Sequence, residues 1–256
     1  MHSLAQLLDP SAWAAMVSSG WGDVSGTEFW VAVVKIIWIN VLLSGDNAVV
    51  IAMACRALPP RQRLWGMILG AGAAVLLRII FTGVIASLLT LPYLKIAGGL
   101  ALFYIAAKLL VPDDPDENEV QAAEHLWRAV KIVAVADIVM SLDNVIAIAA
   151  AAQGNVALLV LGLAISIPLI VAGAALIMNL LDRFPILVWA GAALLGWIVG
   201  ETIATDPVAT SYLMQSYGPS TVQTVTYAAS AAGAVLVLIV GGAWRRSKLG
   251  KASDGA

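Results

Sequence analysis

Two short stretches of this chain carry residue types that could hold a cation. Asn40, Ser44, Asp46 and Asn47 form the first, and Asp137, Ser141, Asp143 and Asn144 the second. Sliding one onto the other superposes Asn40 on Asp137, Ser44 on Ser141, Asp46 on Asp143 and Asn47 on Asn144, so both read (N/D)-x-x-x-S-x-D-N. Together they offer the carboxylates of Asp46, Asp137 and Asp143, the amides of Asn40, Asn47 and Asn144, and two hydroxyls. These are hard oxygen donors, which suit Mn²⁺, Mg²⁺ or Ca²⁺ and disfavour Cu⁺ or Zn²⁺. The histidines, His2 and His125, lie away from both motifs, and the single Cys55 excludes a thiolate cage and an intramolecular disulfide. Met53 and Met140 flank the motifs; a thioether would tilt the set from Ca²⁺ toward Mn²⁺, although a methionine in such a helix more often packs.

The elements that must position these residues are membrane helices. The first motif lies in an apolar run from Val31 to Ala54 and the second in one from Ala129 to Ala152, each long enough to span a bilayer. A lone Ser or Asn there would read as hydrogen-bonding glue between helices. Two matched Asp-Asn pairs in mid-span mark a functional site. On a regular helix Asn40, Ser44 and Asn47 share a stripe about 60° wide, as do Asp137, Ser141 and Asn144, while Asp46 and Asp143 fall about 100° off it. Either a neighbouring helix meets those carboxylates or the helix is unwound at Ser-x-Asp. Gly45 favours a break in the first copy, and Leu142 argues against one in the second.

The chain is 61% hydrophobic and 12% charged, which excludes a soluble globular domain. Its net charge of −2 and lack of a basic patch give no sign of nucleic acid. The expected fold is an all-α polytopic membrane protein with seven transmembrane helices, at 28–54, 64–90, 92–111, 128–152, 155–181, 184–204 and 222–243. Residues 1–27 form an extracytoplasmic segment in which Asp9-Pro10 reads as the start of a short helix, either resting on the membrane interface or part of an ordered tail. No cationic region precedes the first span, so no cleavable signal peptide is expected. Residues 28–111 make a first transmembrane repeat, 112–127 an acidic cytoplasmic loop, and 128–204 a second repeat. Residues 205–221 make an extracytoplasmic loop, 222–243 the seventh helix, and 244–256 a basic cytoplasmic tail. Arg56, Arg61, Arg63, Arg128, Lys131, Arg183, Arg245, Arg246, Lys248 and Lys251 all fall on one side of this arrangement. The positive-inside rule therefore puts the N-terminus outside and the C-terminus in the cytoplasm of a cell inner (plasma) membrane.

Pro92-Tyr93-Leu94 with Gly98 also matches Pro185-Ile186-Leu187 with Gly191, which sets Lys108 against Glu201. Each half holds three spans, an odd number, so the halves run in opposite directions. This is an inverted-topology repeat with its site at the midplane, plus a seventh helix outside the repeat. Arg78, mid-span, demands a partner: either it neutralises a carboxylate or it serves as a gate. Lys108 and Glu201 near span ends either snorkel or shape the entrances.

These motifs resemble the TerC family of integral membrane proteins, and more narrowly its short branch of manganese exporters. The resemblance covers about residues 28–243. It rests on N-x-x-x-S-G-D-N at Asn40 to Asn47, D-x-x-x-S-x-D-N at Asp137 to Asn144, Leu94-Lys95-x-x-Gly98-Gly99, and Glu201 with Asp206. It implies manganese export and membership of a wider group of inverted-repeat cation exporters. Members of the family are also connected with tellurium resistance and with supplying manganese to secreted enzymes.

The function expected from sequence is a secondary transporter, not an enzyme. It exports Mn²⁺ or another divalent metal by alternating access, in exchange for protons, with no ATP motif and no bound cofactor. An intramembrane aspartyl protease using Asp46 and Asp143 is the alternative, weakened by the absence of G-x-G-D. A non-transporting partner of the secretion machinery is a third reading, which leaves the duplicated carboxylates without a purpose. The expected partners are a divalent ion and the bilayer; a homodimer stays open.

Overall fold

A computed structural model of the chain describes residues 26–88, 91–111, 119–152, 155–217 and 219–254. The helix expected after Asp9 lies outside the described residues. Those residues form nine helices and no strand: α1 (Thr27–Leu42), α2 (Gly45–Arg56), α3 (Pro60–Leu88), α4 (Leu94–Leu109), α5 (Glu119–Ala152), α6 (Val156–Arg183), α7 (Ile186–Ala204), α8 (Pro207–Tyr217) and α9 (Pro219–Asp254).

The chain is an all-helical protein with four to six candidate membrane spans. Stretches of α3, α6, α7 and α9 are each long and apolar enough to cross. Two bent pairs bring the number to six. In one, α1 and α2 meet at 56°; in the other, the Glu124–Ser141 and Asn144–Ala152 arms of α5 meet at 73°. Seven spans were expected, and the difference lies at 92–111. The helix there is only 16 residues long, about 24 Å at ~1.5 Å per residue, against a hydrocarbon core of about 30 Å. Tyr93 takes a left-handed conformation (φ 66°) that delays the helix start. Helix also reaches into segments expected as loops or tail: α5 begins inside 112–127, α8 occupies most of 205–221, and α9 continues to Asp254.

Two apolar clusters bracket a polar layer. One gathers Phe29, Val33 and Ile36 of α1 with Val75, Ile148 and Leu163. The other gathers Ala48 to Cys55 of α2 with Met67, Ala71, Val133, Met140 and Ile170. Reading along the chain, α1–α2 passes from the first cluster through its motif to the second. Helix α5 passes from the second through its motif to the first. The two motif-bearing helices therefore cross the same layers in opposite directions. Helices α3 and α6 do the same.

Each motif helix is backed by a glycine from the other half. A Cβ on Gly98 of α4 would stand 3.0 Å from Val139 of α5, and one on Gly191 of α7 only 2.7 Å from Met53 of α2. Helix α9 docks on α7 through Gly196-x-x-x-Gly200, whose backbone meets that of Ala229 and Gly233, the close approach that small residues permit between membrane helices. At one end of the bundle Arg63 fastens the α2–α3 turn, donating to the carbonyls of Leu58 and Arg56 and, at 2.7 Å, to the carboxylate of Asp182.

Candidate cation site

Arg78 of α3 is 1% exposed and is the only buried Lys or Arg among the described residues. A guanidinium in such a place must have its donors met. Four side chains from the two motif copies meet them. Nε donates to Ser141 Oγ at 2.9 Å, and Nη2 to Asp137 Oδ1 at 2.6 Å. Nη1 donates to Ser44 Oγ at 2.9 Å and to Asn40 Oδ1. The four acceptors are two repeat-related pairs, Asn40 with Asp137 and Ser44 with Ser141, so one cation is held by both copies at once. Helix α6, which follows the second motif as α3 follows the first, has no charged residue from Val156 to Leu181. The cation is therefore the asymmetric element of a duplicated site.

The first motif is broken, as Gly45 led one to expect, but the break falls at Leu43–Ser44. Ser44 has φ −109° and ψ 7°, and its hydroxyl does not cap α2. That hydroxyl instead faces Arg78 and lies 3.4 Å from Asn40 Oδ1. A serine oxygen recruited by a buried charge is lost to the helix end it would otherwise cap. Across the break, Asn144 Nδ2 of the second copy donates to the Leu43 carbonyl at 3.2 Å. In the second copy α5 stays helical through Ser141, and its two arms incline despite the leucine at 142.

Asp46 stands in the first turn of α2, partly buried, with Oδ1 accepting from the Asn47 backbone at 2.8 Å. Carboxylate is favoured at a helix N-terminus by the aligned peptide dipoles. Asn47 is buried, and neither its Oδ1 nor its Nδ2 has a partner; Asn40 Nδ2 and Asp137 Oδ2 are likewise buried and unpaired. Four unpaired polar atoms on three motif residues is far from the usual saturation of buried groups. Two of them, Asn47 Oδ1 and Asp137 Oδ2, are oxygen acceptors fit for a metal ion. Among the described residues no three His, Cys, Asp or Glu side chains converge. The side chain of Asp143 lies outside the described residues.

The other two charged candidates stand apart from this layer. Lys108 sits in the last turn of α4 with its ammonium 5.9 Å from the Tyr104 ring. Glu201 is exposed near the end of α7. A residue whose role the sequence reading missed is Asp206, fully buried between α7 and α8. It accepts from the backbone N–H groups of Tyr93, Ile96 and Val208, and so caps α4 and α8 together. The signal was present: Asp directly before Pro207 is a helix N-cap signature.

The sequence pattern of the integral membrane protein TerC family matches residues 25–249, which take in both motifs, Arg78 and Asp206. The chain belongs to that family. Among curated relatives, the uncharacterized membrane protein YjbE of Bacillus subtilis is 41% identical over 188 residues, 73% of this chain and 86% of the relative. A second relative from the same organism, the uncharacterized membrane protein YceF, is 29% identical over 70% of this chain and 73% of its own length. The UPF0053 protein YegH of Escherichia coli is 26% identical over 48% of this chain, a match confined to 27% of the longer protein. No solved structure matches this TerC chain.

Proposed function

We propose that this chain is a secondary transporter that exports divalent metal ions, Mn²⁺ foremost, by alternating access. The observation that carries the reading is the guanidinium of Arg78, held in a buried layer by oxygens from both motif copies. A site that holds one cation with duplicated hard donors is suited to another. The charge count supports a divalent ion. Asp46, Asp137 and Asp143 together bring three negative charges and Arg78, paired with Asp137 in this structure, one positive, a balance of two that a divalent ion would match.

The traverse of the same layers in opposite directions by the motif helices suits an inverted repeat working about a midplane site. In this reading α4 is a seventh, shortened crossing, and the cationic loops set the N-terminus outside and the C-terminus in the cytoplasm. When the metal leaves, protons compete for the same carboxylates, so exchange of metal for protons closes the cycle.

Sealed vesicles containing the purified protein and a pH dye test this. Mn²⁺ is expected to move faster than Ca²⁺ or Zn²⁺, with a counter-movement of protons. Absence of metal flux in vesicles that hold folded protein would remove the proposal, and flux without protons would remove the coupling alone.

A further inference from the structure

We propose that Arg78 is the resting cation of the site. Its guanidinium occupies the oxygen cage when no metal is bound, and leaves Asn40, Ser44, Asp137 and Ser141 when a divalent ion takes them over. This rests on the transporter reading above and assigns the side chain that fills the site between loads.

The geometry points to exchange in three ways. First, the guanidinium uses four of the eight duplicated donors, two from each copy. A metal needing that oxygen set cannot have it while Arg78 does, and two cations a few ångströms apart in a poorly solvated layer repel strongly. Second, the two motif copies keep further acceptors unused. Asp137 gives Oδ1 to Arg78 and keeps Oδ2 buried and unpaired, and Asn47 Oδ1 is unpaired as well. The first is an open position on a carboxylate that already holds the guanidinium, and the second belongs to the same motif as Asn40 and Ser44. Third, no second Lys or Arg is buried among the described residues, and the corresponding helix α6 is uncharged over this length. One tethered charge serves both halves.

A tethered guanidinium also answers a selectivity problem. An empty cage of buried carboxylates would attract any cation, including abundant monovalent ones. A divalent ion is drawn to the carboxylates about twice as strongly as a single charge at the same distance, which lets it outcompete the tethered guanidinium where a monovalent ion has no such advantage. The arginine stem can carry the charge aside without backbone change, since it is long and unbranched.

The test compares wild-type protein with R78Q in detergent, titrating Mn²⁺ at low and high Na⁺. Wild type is expected to bind Mn²⁺ with an affinity almost independent of Na⁺. R78Q is expected to bind Mn²⁺ at least tenfold tighter at low Na⁺, to lose that gain at high Na⁺, and to release metal at least tenfold more slowly in vesicles. A folded R78Q with unchanged or weaker Mn²⁺ affinity overturns the inference while leaving the transporter reading in place. A wild type that binds no Mn²⁺ overturns both. Should R78Q not fold, crystals of the wild type soaked in Mn²⁺ decide by anomalous scattering. A Mn²⁺ peak between Asn40 and Asp137 with the guanidinium displaced supports the exchange. A peak elsewhere with the Arg78–Asp137 pair intact overturns it.

Discussion

Nη2 of Arg78 lies 2.6 Å from Oδ1 of Asp137, and each side chain is only 2% exposed. This ion pair joins α3 to α5, and with Asn40 and Ser44 it joins both to α1 and the break before α2. Burying a pair of charges is costly, but stranding one of them costs more, typically about 3–5 kcal/mol. Asp137→Leu alone should therefore destabilise the folded protein by about that amount. The double variant Arg78→Met with Asp137→Leu should recover most of the loss. Denaturant melts of the purified protein in micelles give the cycle. If the two single losses simply add in the double variant, the pair does not act as a unit.

Two glycines should respond in opposite ways to the same substitution. A Cβ on Gly200 would come 2.0 Å from the Ala229 carbonyl oxygen and 2.4 Å from its carbon, both backbone atoms that cannot give way. Gly200→Ala should force α9 off α7 and cost at least about 1–3 kcal/mol. Gly45 has nothing within 4 Å of its would-be Cβ and lies at the start of α2. Gly45→Ala should be neutral or stabilise by up to about 1 kcal/mol, as expected where a helix gains alanine in open space. Thermal melts of the two variants check both. A large loss in Gly45→Ala would mean that the break at Ser44 needs glycine after all.

The motif residues were legible because a costly residue in an apolar run, repeated at matched spacing, has no cheap structural reading. That Arg78 needed a carboxylate was legible too. Which one was not, since Asp46 and Asp137 are equally acidic on paper and only the packing of α3 against α5 chooses Asp137. A break at Ser-x-Asp was one of two readings, made plausible by Gly45, and it forms at Leu43–Ser44 with the Ser44 hydroxyl turned to Arg78 of α3. That is a tertiary cause with no local signature. The shortness of α4 was not legible because hydropathy runs smoothly through Leu91 and Pro92, whereas the helix starts only after Tyr93 in its left-handed conformation. The helical start at Glu119 was hidden by reading an acidic run as a linker, although acidic residues also suit the first turns of a helix.

Asp206 should matter to stability more than its place at a helix junction suggests. It is fully buried and accepts from Tyr93 N and Ile96 N at 3.3 Å and from Val208 N at 2.9 Å. Hydrogen bonds to a carboxylate contribute about 1.5–3 kcal/mol, more than neutral ones. Asp206→Ala leaves three backbone donors unmet and should cost about 2–3 kcal/mol or more. Asp206→Asn keeps one acceptor oxygen and should recover part of that. Hydrogen exchange at Tyr93 and Ile96 should rise in Asp206→Ala ahead of the rest of the protein. Unchanged protection there would show that the cap is not what holds the start of α4.

Asp46 offers the sharpest separation of transport from folding. Its Oδ1 accepts from Asn47 N at the head of α2. Asparagine can make the same bond with its own carbonyl, so Asp46→Asn should fold with a stability within about 1 kcal/mol of wild type. What it lacks is the negative charge that the carboxylate would bring to a divalent ion. Mn²⁺ flux into vesicles should fall to background. Ser44→Ala should show the reverse balance. It deprives Arg78 of one acceptor at 2.9 Å, which should cost about 1–2 kcal/mol of stability, while flux continues at a reduced rate because a hydroxyl is the weakest donor of the set. Flux in Asp46→Asn close to that of wild type, in protein of normal melting behaviour, would take Asp46 out of the cation path and leave Asp137 and the unpaired Asn47 as the residues to examine.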